Sequence, residues 1–191
     1  MKAIRYLATM STMWCLLGGA VLEGRNSDRR PSSEWVKVKP SQEPIVVAFP
    51  KKPTHMQFAL PFANTIPEKG SLKVLCTEEG EHTFFVCTLQ GEEGTFHLTG
   101  EQLQKTFRDT IVPYLFYDRA PWGEVLEVRT SSCCRRPALS FRATSQGEWM
   151  RGLTFLESGQ VQHLFFLIGP KEQWDDLAAN TFLESIQSEE Q

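Results

Sequence analysis

Histidine is scarce in this 191-residue chain. The four, His55, His82, His97 and His163, are scattered, and none stands in an H-E-x-x-H pair that could hold a catalytic zinc from one helix face. There is no G-x-S-x-G nucleophile elbow and no glycine-rich loop built to cradle phosphate. No C-x-x-C spacing occurs, which argues against a four-cysteine zinc site. A surplus of one charge is missing too, with 20 basic against 23 acidic residues and a net charge of -3. A nucleic-acid binder shows a concentrated basic face, which this balance does not favour. Nor does it support electrostatic attachment to a membrane surface. Internal repeats and low-complexity blocks are lacking. These absences point to a protein that is not an enzyme and needs no metal or cofactor.

What is present suits one folded domain with an appendage. Hydrophobic residues make up 41% and charged residues 23%, the ordinary balance of a globular chain. Thirteen Phe and five Trp supply a core.

The first twenty residues carry an address. Lys2 and Arg5 lead, an apolar run follows in LATMSTMWCLL, and small residues stand at Gly18 and Ala20. That order is a secretory signal peptide, residues 1–20, cleaved after Ala20. Cleavage leaves 18 basic against 23 acidic residues, a net charge of -5. Two rivals share the stretch. Tyr6 to Leu22 is near the lower length for an uncleaved spanning anchor. Cys15 is a weaker lipidation candidate, because Trp14 precedes it where a small residue is needed. All three place the domain outside the cytoplasm, in the periplasm or the extracellular space. Residues 21–33 are polar, with Arg25, Arg29, Arg30 and Pro31, and read as a flexible linker.

The folded domain is expected over 34–191. EWVKVKP, EPIVVAFP and THMQFALPF read as strands, with Pro61 confining the last to an edge or an end. SLKVLC and HTFFVCTL flank a hairpin loop around Gly80. A helix then begins at Thr99, which with Gln102 forms a capping pattern. Leu103, Phe107, Ile111 and Leu115 mark its inner face, and Pro113 should kink or end it. GEVLEVRTSS and ALSFRATS alternate as strands. GEWMRGLTFLE and QVQHLFFLIG surround a turn at Ser158-Gly159. Pro170 reads as the first position of a last helix, with Trp174, Leu177, Ala178, Phe182 and Ile186 as its inward stripe. The order of strands, helix, strands and helix predicts an α+β fold, an antiparallel sheet covered by helices. Phe84-Phe85 and Phe165-Phe166 should each send one ring to either face. His163 reads as a hydrogen-bonded sheet residue, and the pairs Glu78-Glu79 and Glu92-Glu93 as solvated turn charges.

WVKVKP followed by VVAFPKKPT resembles the start of the PsbP-like family of α/β/α sandwich domains. The ending GLTFLESGQVQHLFFLIGPKEQWDDLAANTFLESIQ is similar to that family's last hairpin, Gly-Pro turn and final helix. The likeness spans most of Trp35 to Gln187 through structural motifs of low specificity. It implies the sandwich fold and a noncatalytic role, because bacterial members are often exported and plant members dock on the oxygen-evolving complex. It implies no functional residue. VQHLFF departs from the Tyr-centred segment usual in the family, and SSCCRRP has no counterpart there.

Four cysteines remain after cleavage: Cys76, Cys87, Cys133 and Cys134. An even count in an exported domain suggests disulfides. A reactive thiol is the alternative, with Arg135 and Arg136 placed to stabilise a thiolate. A register centred on Gly80 pairs Cys76 with Phe84 and Cys87 with Lys73, on opposite faces. Adjacent Cys133 and Cys134 also diverge in an extended strand. Two bridges, each joining a hairpin cysteine to Cys133 or Cys134, avoid both problems. Function then divides three ways: a noncatalytic envelope binding or assembly module with a protein partner, a small-ligand carrier, or a thiol-dependent redox protein. The first leads. No nucleic acid is expected, and a membrane only through an uncleaved N-terminal anchor.

Overall fold

A computed structural model describes residues 35–40, 45–59, 70–92, 94–115, 125–145 and 147–188. The signal segment, the linker, Pro61 and Glu93 lie outside them. Ten strands form two antiparallel sheets among the described residues, joined by short helices. The fold is therefore mostly antiparallel β, with a smaller helical share than an even α+β division would give.

The large sheet has seven strands in the order β3-β4-β5-β9-β8-β7-β6. These are β3 (Thr54–Ala59), β4 (Ser71–Glu79), β5 (His82–Gln90), β6 (Val125–Cys133), β7 (Arg136–Ser145), β8 (Glu148–Ser158) and β9 (Val161–Pro170). The Pro61 signal was informative, since β3 is an edge strand. The first two expected strands, β1 (Val36–Val38) and β2 (Ile45–Phe49), instead build a small separate sheet with β10 (Gln187–Ser188).

Alternation along the strands sends apolar side chains to both faces of the large sheet. Phe84 and Phe165 join one core, and Phe85 and Phe166 the other. Each ring of the two Phe pairs thus fills its own side, as their sequence implies. The packing leaves little slack around Gly152, where an added Cβ would come within 2.3 Å of the Phe141 ring and 2.6 Å of the Phe165 carbonyl.

Helix α1 (Gly100–Thr106) covers the face of Phe85 and Phe166. Its cap forms as expected, with Thr99 Oγ1 accepting the Gln102 N–H at 3.1 Å. Leu103, Phe107 and Ile111 are buried. The coil then widens into a π-turn over Phe107–Ile111 and continues as α2 (Val112–Leu115). Pro113 has no N–H to return to the carbonyl four residues back, and the Val112 N–H bonds Phe107 five residues back.

The other face is covered by α3 (Asp176–Glu184) together with β2. Here the expected start was wrong. Pro170 ends β9, a 3₁₀ turn spans Lys171–Gln173, and Asp175 caps α3 by accepting the Ala178 N–H at 3.0 Å. Trp174 thus precedes the helix and is half-buried. The shift rotates the stripe: Ala179 and Phe182 are fully buried, whereas Leu177 is 61% exposed.

Both expected turns also move by one place. β4 and β5 join through Gly80-Glu81, with Gly80 at φ +59° in the position where a II′ turn takes glycine. β8 and β9 join through Gly159-Gln160, beyond a register shift between Leu156 and Ser158.

Candidate functional site

Helix α3 has nine residues, about 13 Å of helix at the usual rise. The sheet beneath is about 29 Å across between its outer strands, taking roughly 4.8 Å per step. A helix of that length covers only part of the face, which is open over β6, β7 and part of β8 beside the end of α3. A groove of about 490 Å³ opens there.

Period-two alternation brings its floor together. Glu127, Arg129, Ser131 and Cys133 come from β6, Ser140 and Arg142 from β7, and Arg151 and Leu153 from β8. Leu183 and Glu184 at the end of α3, with Ile186 beyond, form the wall. The register sets Arg142 opposite Glu127 on one side and Arg151 on the other. Like charges directly opposite are unfavourable in a sheet. Arg129 ion-pairs with Glu127, and Arg151 lies 3.6 Å from Asp176. Each pair has a solvent-exposed partner, Arg129 in one and Asp176 in the other, and is worth about 0–1 kcal/mol, so a competing carboxylate can displace it. Three guanidiniums from three adjacent strands can offer paired N–H donors to carboxylates, beside the hydroxyls of Ser131 and Ser140. Sequence reasoning named none of these arginines. They lie on three different strands, and only the strand order collects them.

The cysteines fall into two separate pairs. The one-place shift of the β4–β5 turn sets Cys76 opposite Phe85 and Cys87 opposite Val74. Both thiols therefore share the face under α1, contrary to the expected register. Burial pushes the Cys76 thiol up to about 11, with Glu78 adding, and pushes Cys87 well above its ordinary value. Cys133 is the last residue of β6, but Cys134 is not in an extended strand: Cys134 and Arg135 are the two central residues of a tight turn, at φ +52° and +61°. Both sulfurs pack toward the opposite core, that of α3. Three strands lie between β5 and β6, a gap of roughly 19 Å. A disulfide needs Cα atoms within about 7 Å. The expected cross-bridges do not form, and all four cysteines are free thiols. Arg135 and Arg136 do not produce a stabilised thiolate at Cys133 either. Burial and the neighbouring Cys134 push that thiol up to about 12.

His163 sits at the centre of a buried polar cluster, as its place in an apolar strand implied. Its Nδ1 lies 3.1 Å from Thr88 Oγ1, and its Nε2 is hydrogen-bonded to Glu157. A hydroxyl, an imidazole and a carboxylate in series can relay a proton. However, His163 is fully buried, and the hollow beside Thr88 holds about 170 Å³, below the roughly 300–1,000 Å³ of ligand sites. The cluster therefore acts as an internal tie. On the other face Thr154 Oγ1 donates to the His163 carbonyl at 2.7 Å and accepts from Gln162. His55 and His97 are exposed, and Glu78, Glu79 and Glu92 are solvated as expected.

No helix among the described residues is long and apolar enough to cross a membrane, and the apolar run Tyr6 to Leu22 lies outside them. No known family profile matches the chain, and no curated protein matches it.

Proposed function

We propose that this chain is a noncatalytic, exported binding or assembly module of the cell envelope, and that a protein partner seats a carboxylate-bearing segment in the groove between α3 and β6–β8. The observation that carries this reading is the cluster of Arg129, Arg142 and Arg151, one from each of three adjacent strands, in an open groove. Export is supported by the charge, hydrophobe and small-residue order of residues 1–20. The PsbP-like α/β/α form is supported by one antiparallel sheet with helical cover on each face. A small anionic ligand is the second reading, favoured by a groove volume of about 490 Å³, which lies in the usual ligand range of roughly 300–1,000 Å³.

A photo-crosslinking residue at Ser140, on the groove floor, tests this in the native envelope. The matched control stands at Gln57, exposed on the far edge strand. One discrete protein adduct from Ser140 and none from Gln57 is expected. A bound small molecule without a protein adduct favours the carrier, and equal adducts from both positions remove the groove from consideration. N-terminal sequencing of the same protein should begin at Val21; an intact Met1 on soluble cytoplasmic protein would overturn export.

A further inference from the structure

Cys134 and Arg135 both adopt positive φ, at +52° and +61°. A turn of this kind is easiest for Asn-Gly, and a residue with a Cβ is strained in the left-handed region. The chain nonetheless keeps a cysteine there, directly after another. The two sulfurs stand 3.7 Å apart, half-buried, and both line the groove. Cys134 Sγ also lies 3.9 Å from the Ile186 carbonyl, just beyond α3. The turn therefore couples the sulfur pair to the wall of the groove.

We propose that Cys133 and Cys134 form a reversible vicinal dithiol–disulfide site at the end of the groove, oxidised by exchange with a small disulfide. The sulfurs need only close from 3.7 Å to a bond of about 2.05 Å. In the exchange, one cysteine thiolate attacks a sulfur of the incoming disulfide RSSR. A mixed disulfide forms, and RS⁻ leaves. The second cysteine, as thiolate, attacks the protein sulfur of that mixed disulfide and expels the other RS⁻. The two cysteines lose two protons and two electrons, and RSSR becomes two RSH. Neighbouring residues have Cα atoms about 3.8 Å apart, short of the roughly 4.4–6.8 Å usual for disulfides. The ring is therefore strained and easily reduced, which makes the site a switch and not a permanent staple. Burial, with the neighbouring Cys134, pushes the Cys133 thiol up to about 12, so it is protonated at neutral pH and closure speeds up as pH rises.

The test uses the full-length protein with glutathione disulfide at pH 9, followed by alkylation and peptide mapping. The peptide holding both cysteines should lose two hydrogens in mass and resist alkylation, then recover both thiols in millimolar reduced glutathione. Cys134→Ser should instead stop at a single glutathione adduct on Cys133. Two alkylatable thiols after treatment, a glutathione on each sulfur, or linkage to Cys76 or Cys87 would overturn the proposal. Failure here leaves the groove reading intact, because crosslinking at Ser140 is scored separately.

Discussion

The Nε2 of His82 accepts the backbone N–H of Asp175 at 3.3 Å, so the first residue of β5 holds the cap of α3. That bond requires a neutral Nε2. Burial lowers the His82 pKa below its ordinary 6.5, while the carboxylates of Asp175 and Glu81 offset part of the effect. The unfolded chain binds its proton near 6.5 and the folded chain resists. Stability from this bond is therefore complete above that pH and falls as pH drops through it. In urea melts, the stability gap between wild type and His82→Gln should be largest at pH 7.5 and shrink by pH 5. A gap unchanged across that range would separate His82 protonation from α3.

Phe182 anchors α3 between Phe49 and Phe84, at ring separations of 5.6 and 5.3 Å. Phe182→Ala should cost about 3–5 kcal/mol through the cavity it leaves. Leu177→Ala, on the exposed side of the same helix, should stay within about 0.5 kcal/mol. Chemical denaturation of the two variants checks which face α3 buries.

The His163–Glu157 pair lies almost wholly out of water, the two side chains being 0% and 13% exposed. His163→Leu removes a hydrogen-bond partner from a nearly buried carboxylate and should cost about 1.5–3 kcal/mol, the range for a hydrogen bond to a charged group. Adding Glu157→Leu should recover part of that loss, and the double-mutant cycle should give a coupling of about 0.5–3 kcal/mol. Additive effects would show that the two groups are independent.

The hairpin strands were legible because alternating apolar residues leave few other ways to bury Phe84-Phe85 and Phe165-Phe166. The Thr99 cap was legible for a local reason, since its donor is only three residues away. Register was harder to read. A two-residue turn could centre on Gly80 or one bond later, and that single step moved Cys87 to the face of Cys76. The start of α3 was misplaced because Pro170 suits a 3₁₀ turn as well as an α-helix, and the delay turned Leu177 outward. The groove could not be read from the chain at all. Arg129, Arg142 and Arg151 meet through the order β6-β7-β8, and that order is a product of long-range pairing.

The central claim is that this arginine cluster receives a partner. It is tested most directly by the yield of the Ser140 crosslink in native envelope, compared between the otherwise unchanged protein and Arg142→Glu. Arg142 is exposed on β7, the strand between those of Arg129 and Arg151, so reversing its charge should leave the thermal midpoint nearly unchanged. The account predicts at least a tenfold loss of the protein adduct. An adduct of undiminished yield from a folded Arg142→Glu protein would contradict it.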